Sequence, residues 1–170
     1  MNPRCNDVGP QAIRFYIESD QLLKINKSMK TVKHILHGKP TVVHSVGPDT
    51  SVLEALKIMM EKNISALLVT EGAQLKGIFT ERDYARKIIL QGKSSKDTPI
   101  RDVMTHDPRT ITPNEGIDQC MQLMTNNHFR HLPVLDGGLV VGIISIGDLV
   151  KLIIEDQQQT ISQLQSYITS

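Results

Sequence analysis

Two short stretches of the sequence place a hydroxyl and a carboxylate three residues apart, directly after an apolar run. The first reads GIFTERD, from Gly77 to Asp83, and the second reads GIISIGD, from Gly142 to Asp148. In each stretch a strand-like run ends at the Thr or Ser, and a helix-like segment follows it. Such a junction is either an ordinary helix start, with the hydroxyl as N-cap, or a place that binds a small polar ligand. One copy alone does not distinguish these alternatives.

Both stretches belong to an internal repeat with an offset of 65 residues. Residues 46–88 align with residues 111–153 without a gap, and Pro48, for example, meets Pro113. Few residues are identical, but apolar positions match apolar positions almost throughout. A preserved period with diverged residues indicates a duplicated structural unit.

Each copy predicts the same order of elements, β-α-β-β-α, so the predicted fold class is α+β. About 60 residues make only a marginal domain, and we therefore expect the two repeats to pack as one module with pseudo-twofold symmetry. In copy one we predict strands at 41–46, 66–70 and 75–80, a helix with the apolar stripe Val52, Ala55, Leu56 and Met59, and a final helix from about Glu81. In copy two we predict strands at 109–112, 131–135 and 139–145, a helix with the stripe Ile117, Cys120, Met121 and Met124, and a final helix from about Ile146.

The repeats divide the chain into four parts. We predict an N-terminal arm or helix at 1–28, a first repeat at 29–92, a second repeat at 93–156 and a C-terminal helical tail at 157–170. Short helical turns at 31–36 and 100–104 open the two halves. The tail carries Ile161, Leu164 and Ile168 at helical spacing, which predicts a face that docks on the body or on a second subunit.

Composition excludes several classes of function. The 170 residues carry a formal net charge of +1 and 4% aromatic residues with no Trp, which does not indicate binding to nucleic acid or to an anionic membrane. Cys5 and Cys120 make no disulfide framework, and Cys120 lies on a predicted core stripe. No apolar run reaches the roughly 18 residues that span a bilayer, and no signal peptide is recognisable. We therefore predict a cytoplasmic protein.

Catalytic and metal-binding motifs are also missing from the sequence. It has six histidines, but no HExxH, CxxC, nucleophile elbow or P-loop occurs. We predict no enzyme activity, no catalytic residues and no metal site.

The repeated pattern resembles a known family. Two β-α-β-β-α copies that each end in G-apolar-x-[Ser/Thr]-x-x-Asp resemble tandem CBS (cystathionine-β-synthase-type) repeats, the arrangement called a Bateman module. The segment FRHLPVLDGGLVVGIISIGDL is similar to the second repeat of that family, and the resemblance covers about residues 29–155. It implies a non-catalytic regulatory module, commonly a homodimer, that binds AMP or a related adenosyl ligand (ATP, ADP, NAD or S-adenosylmethionine). The regulated partner would be a separate protein.

The resemblance also implies roles for the paired motif residues. Asp83 and Asp148 would hold ribose hydroxyls, since an ionised carboxylate accepts from two adjacent hydroxyl groups. Thr80 and Ser145 would contact phosphate at helix starts, where backbone amides favour an anion.

The remaining predicted ligand-binding residues flank these motifs. Arg130 and His131 would bind phosphate in a cleft built on Asp148, which we expect to be the stronger of the two sites. Copy one would use Arg82, which stands where copy two has Gly147. The base and ribose would be framed by Val43, His44, Ile64, Ser65, Ala66, Thr110, Ile111, Thr112 and Pro133, with small Ala66 leaving room for the ligand.

Alternatives without a ligand remain open for these residues. Thr80 and Ser145 can be N-caps, and the two Asp side chains can act only on the helix dipole. Arg82 and Arg86 can belong to a solvated helix face, and His131 can lie at the core edge. The repeats would then form a ligand-free dimerising scaffold or an interaction module.

Overall fold

The computed structural model describes residues 30–39 and 42–168. The predicted N-terminal arm at 1–28 and Cys5 lie outside these residues. The helices are α1 (Val32–His37), α2 (Val52–Lys62), α3 (Glu81–Tyr84), α4 (Ile117–Asn127) and α5 (Ile146–Ile168), with a π-helical stretch at Ala85–Ile89 and a 3₁₀ helix at Ile100–Asp102. The strands are β1 (Ser45–Val46), β2 (Ala66–Glu71), β3 (Gln74–Thr80), β4 (Thr105–His106), β5 (His131–Asp136) and β6 (Leu139–Ser145).

The strands form two sheets that repeat the same hairpin. The first sheet has the order β1-β2-β3-β4, and the second consists of β5 and β6. Hairpins β2–β3 and β5–β6 are antiparallel, and the register shifts after Val69 in one and after Val134 in the other. These two residues are 65 positions apart, so the backbone irregularity is repeated together with the sequence pattern.

The first strand of each copy is shorter than predicted. β1 contains only Ser45 and Val46, which pair with β2 in parallel orientation. In copy two a single parallel bridge joins Ile111 to Val134. Strand propensity produces a ladder only where a neighbouring strand offers partners, and β2 and β5 offer them only at these positions.

The predicted helix stripes form two hydrophobic cores. Val52, Ala55 and Met59 of α2 are buried in the first core, and Ile117, Cys120 and Met124 of α4 are buried in the second. Cys120 is a fully buried core residue, as predicted, and burial, followed by the nearby charge of Glu115, raises the pKa of its thiol to about 11.

Each repeat completes its core with the segment that precedes the other repeat. Val32 and Ile35 of α1 are buried in the second core, whereas Ile100 and Val103 are buried in the first. Backbone hydrogen bonds fix this exchange: Val32 N donates to the carbonyl of Glu115 at 3.0 Å, and Ile100 N donates to the carbonyl of Thr50 at 2.8 Å. The helical turns that we predicted at 31–36 and 100–104 therefore each pack on the opposite half.

Gly77 and Gly142 allow these exchanged segments to cross the hairpins closely. A Cβ atom on Gly77 would lie 2.6 Å from the Met104 sulfur and 2.8 Å from the carbonyl oxygen of Thr105. A Cβ atom on Gly142 would lie 2.5 Å from a methyl group of Leu36. The glycine in each motif is therefore required for packing.

A third apolar cluster joins the two copies. Its buried residues are Ala66, Leu68 and Ile78 of copy one, and Val140 and Ile143 of copy two pack against them. The faces of the two hairpins that do not cover their own cores are thus in contact.

Helix α5 continues through the predicted tail. Ile161, Leu164 and Ile168 are 54%, 58% and 84% exposed, so the predicted apolar face is not covered by the described chain. In residues 30–39 and 42–168 no helix is long and apolar enough to cross a membrane.

Candidate ligand-binding site

The carboxylate of Asp83 is the centre of the first candidate site. It lies in the first turn of α3, and the residue is 9% exposed. Its Oδ2 accepts hydrogen bonds from the amide of Thr80 at 3.1 Å and from the hydroxyl of Thr80 at 2.6 Å. Its Oδ1 accepts from Lys87 Nζ at 2.8 Å and from the hydroxyl of Thr105 at 3.3 Å. The hydroxyl of Thr80 accepts in turn from the amide of Asp83 at 3.2 Å, so Thr80 is an N-cap and Asp83 completes a reciprocal capping box.

Asp148 repeats the cap but has a different cationic partner. Its Oδ2 accepts from the amide and the hydroxyl of Ser145, both at 2.7 Å. The same oxygen accepts from Lys39 Nζ at 2.5 Å. Burial raises the pKa of Asp148, but the hydrogen bonds from Lys39 and Ser145 outweigh it and lower the pKa below the usual value.

A cavity of about 700 Å³ lies beside Asp83 and is lined by both repeats. This volume is within the range of roughly 300–1,000 Å³ that small-molecule sites occupy. The first repeat contributes Ser65, Ile78, Thr80, Glu81, Arg82, Asp83, Arg86 and Lys87, and the second repeat contributes Thr105, Asp107, Pro108, Arg109, Asn127, His128, Phe129, Arg130 and His131. Five of these side chains are Lys or Arg and three are carboxylates, so the lining favours an anionic ligand.

The structure changes the cleft to which Arg130 and His131 belong. We expected them to serve Asp148, but both line the Asp83 cavity. The start of β5 meets the start of β2, where His131 Nε2 is 3.2 Å from the hydroxyl of Ser65. Nearby, Arg82 of α3 donates to the backbone carbonyl of His128 at the end of α4. As a result, more of the residues that we predicted to bind phosphate lie at the Asp83 cavity than at Asp148.

The pKa of His131 also depends on Asp148 and on the positive charges near it. Burial lowers the pKa of its imidazole, Asp148 acts in the opposite direction, and the positive charges of Lys39 and Arg130 lower the pKa further. The net pKa lies below the usual value of 6.5, so His131 is held in its neutral form.

The residues predicted to frame a base are dispersed. Ser65 lines the cavity, and it borders, together with Ile64, a smaller cavity of about 510 Å³. Ala66 and Ile111 are core residues, 7% and 4% exposed, so Ala66 does not leave open space for a ligand as we expected. Ala66 is covered because its face of β2 belongs to the apolar contact between the copies. Of the rest, Pro133 is buried, Val43, His44 and Thr110 are half-buried, and Thr112 is exposed.

Several charged or polar residues of the two sites were not predicted, among them Lys87, Thr105, Arg109 and Lys39. Lys87 is four residues after Asp83 on the same helix face, and this spacing is a recognisable ion-pair signal. Lys39 follows α1, and Thr105 and Arg109 follow the 3₁₀ helix; only the tertiary packing brings them to the sites. Across residues 30–39 and 42–168 no group of three His, Cys, Asp or Glu side chains could hold a metal ion.

The CBS-domain family model matches the chain twice, at residues 32–90 and 100–155. The chain belongs to the CBS-domain family. The recurring hairpins, the repeated cap motif and the exchanged leading segments described above are thus the features of a CBS-domain pair.

One relative of this CBS-domain chain is the CBS domain-containing protein CBSX3, mitochondrial, of Arabidopsis thaliana. It is 42% identical over 125 residues, which are 71% of this chain and 61% of the relative. The chain therefore matches less than two thirds of that protein's length.

Solved structures show the same fold. A putative signal-transduction protein with CBS domains from Burkholderia ambifaria is 50% identical and superposes with a TM-score of 0.73, over 75% of this chain and 96% of the other. The CBS domain pair of protein MJ0100, solved in complex with 5′-methylthioadenosine and S-adenosyl-L-methionine, is 30% identical with a TM-score of 0.65, over 73% of this chain and 99% of the other.

Proposed function

We propose that this CBS-domain pair is a non-catalytic regulatory module that binds an adenine nucleotide, AMP first, in the Asp83 cavity. The observation that carries the proposal is the cavity of about 700 Å³, lined by both repeats and by five Lys or Arg side chains. ATP, ADP and NAD have the same adenosine and phosphate groups and are alternative ligands. The adenosyl ligands bound by the MJ0100 pair support the adenosine part of the proposal.

The cationic lining favours a phosphorylated ligand over S-adenosylmethionine. Arg109, which follows β4, and Arg130, which precedes β5, both line the cavity. A guanidinium binds phosphate oxygens in a bidentate manner, whereas the positive sulfonium of S-adenosylmethionine gains nothing from it.

To bind Asp83, the hydroxyl groups of a ribose would have to replace one of the hydrogen-bond donors that the carboxylate already has. Lys87 and Thr105 both donate to Oδ1, and Lys87 Nζ has further acceptors in the carbonyls of Val103 at 2.8 Å and Met104 at 3.1 Å. The lysine can thus lose the carboxylate without becoming unpaired, or it can turn to the phosphate. The hydroxyl groups of the ribose would then take its place on Asp83.

The alternative is a ligand-free dimerising scaffold or protein-interaction module. One observation favours it: the carboxylates of Asp83 and Asp148 both have hydrogen-bond partners inside the protein, as the third helical residue of a capping box does. In that case the cavity would be occupied by water only.

The proposal extends to assembly, partner and compartment. We propose a homodimer through the CBS modules, a separate regulated protein that recognises the ligand state, and a cytoplasmic location. Regulation requires that the nucleotide binds two arrangements of the module with different affinity. Pull-downs with and without AMP, size-exclusion chromatography with light scattering, and cell fractionation test these three points.

Thermal unfolding with AMP, ADP, ATP, NAD and S-adenosylmethionine tests the proposed function. A ligand at 100 times its dissociation constant stabilises the native state by about 2.7 kcal/mol, or roughly 5–10 °C for a domain of this size. Arg130→Gln should weaken AMP binding without affecting binding of adenosine. The matched control is Arg101→Gln, because Arg101 is exposed and pairs with Asp49 away from the cavity. If no ligand raises the melting temperature, the scaffold alternative replaces the sensor.

A further inference from the structure

The lysine that pairs with Asp148 comes from a different part of the chain than the lysine that pairs with Asp83. Lys39 follows α1 in the exchanged leading segment, and its Nζ lies 2.5 Å from Asp148 Oδ2. The side chain of Asp148 is 18% exposed and that of Lys39 is 37% exposed, so the pair is partly shielded from water. With the amide and the hydroxyl of Ser145, Lys39 is the third donor to one carboxylate oxygen.

The two leading segments carry opposite charges at this position. Leu36 and Met104 occupy equivalent places against Gly142 and Gly77, which aligns the segments with an offset of 68 residues. Lys39 therefore corresponds to Asp107, which lines the Asp83 cavity.

The cation at Asp83 has a different origin. Lys87 belongs to the same helical segment as Asp83 and also binds two backbone carbonyls. The residue equivalent to Lys87 in copy two is Leu152, which can supply no charge. Lys39 thus neutralises Asp148 from a segment that belongs to the other repeat in sequence.

We propose that Lys39 competes with a nucleotide for Asp148 and so restricts the chain to one nucleotide, bound in the Asp83 cavity. The inference rests on the proposed function, because it concerns which of two related sites accepts the same ligand. The ammonium neutralises the carboxylate and binds Oδ2, one of the two oxygens that would otherwise accept ribose hydroxyls. A neutral diol is a weaker partner for a carboxylate than an ammonium, and we expect affinity at the Asp148 cleft to be at least about tenfold lower with Lys39 in place.

Isothermal titration with AMP, repeated with ATP, tests the proposal by stoichiometry. The wild-type chain should bind one nucleotide, and Asp83→Ala should abolish that binding. Lys39→Met should bind two, and the double variant Lys39→Met with Asp148→Ala should return to one. Lys39→Arg retains the charge and should remain at one. Lys33→Met removes an exposed lysine of α1 and is the charge-matched control, with an expected stoichiometry of one.

Each other result has a separate meaning. Two nucleotides bound by the wild type, or one bound by Lys39→Met, would overturn the role of Lys39 and leave the proposed function intact. Weaker binding by Lys39→Met would assign Lys39 to the phosphate and would also overturn the inference.

No binding by the wild type but one nucleotide bound by Lys39→Met, lost with Asp148→Ala, would support the role of Lys39 and refute the proposed Asp83 site. No binding by any variant would refute both. Circular dichroism verifies folding, and Lys39→Gln provides a second neutral variant.

Discussion

Replacing Asp83 by alanine should destabilise the protein more than the loss of an ordinary helix cap. The side chain has four donors: the amide and hydroxyl of Thr80, the hydroxyl of Thr105 and the ammonium of Lys87. Alanine leaves the Thr80 amide without its capping acceptor and removes the carboxylate next to Lys87. Both groups are part-buried, so water replaces the lost partners only incompletely.

The magnitude follows from the remaining contacts. Loss of a cap costs about 1 kcal/mol, and removal of one partner from a buried ion pair costs about 3–5 kcal/mol. Lys87 is 35% exposed and keeps two backbone carbonyls, which places the ion-pair loss below that range. We expect Asp83→Ala to lower the free energy of unfolding by about 3 kcal/mol, or the melting temperature by roughly 6–12 °C.

Urea unfolding followed by far-UV circular dichroism, without nucleotide and at neutral pH, measures this loss. The slope against urea concentration must stay constant for the midpoints to be compared. Glu81→Ala, an exposed carboxylate in the same helical turn, is the matched control and should have little effect. A loss below about 1 kcal/mol for Asp83→Ala would show that Asp83 is a solvated cap and that its network with Lys87 contributes little.

Three further predictions concern pH and packing. Because the pKa of Asp148 is lowered in the folded state, its carboxylate stabilises the fold above about pH 3.8, and this contribution is lost as the pH falls through the folded value. Lys39→Met should therefore shift the acid-unfolding midpoint, followed by circular dichroism, to higher pH. Because the pKa of His131 is lowered in the folded state, the unfolded state binds a proton first as the pH falls, and the free energy of unfolding should decrease below pH 6.5. His131→Gln should flatten this part of the plot of urea-unfolding free energy against pH. An unchanged plot would contradict the lowered pKa of His131. Gly77→Ala should lower the free energy of unfolding in urea by about 1–3 kcal/mol, and Gly142→Ala should lower it less. The new Cβ meets a backbone carbonyl at the first position but a movable leucine methyl at the second. Equal losses at the two positions would refute this reason.

Local patterns predicted most of the elements correctly. Hairpins at 66–80 and 131–145, the helix stripes in α2 and α4, and the helix starts after Thr80 and Ser145 all agree with the structure. Each depends on residues that are close in sequence: alternating apolar positions, a helical period, or a hydroxyl before a first turn. The first strands were overestimated because β-branched residues indicate a strand without showing whether a neighbour is present.

These local patterns did not predict the contacts between the two copies. An amphipathic turn such as the one at 31–36 shows that one face is buried, but it does not show in which core. The duplication makes the ambiguity worse, because two nearly equivalent cores can accept either turn. This is why the positions of Lys39 and Arg130 relative to the two Asp side chains could not be assigned from the sequence.

By itself, the sequence determined that the chain contains two copies of one CBS unit, each with a capped helix start and a carboxylate in its first turn. Only the tertiary structure decided which residues face each carboxylate. The exchange of leading segments brings Lys39 to Asp148 and Thr105 to Asp83, and the contact between the starts of β2 and β5 brings Arg130 and His131 to the Asp83 cavity. The physical reason is that a cap forms within one helical turn, whereas a cleft forms between surfaces that are distant in sequence.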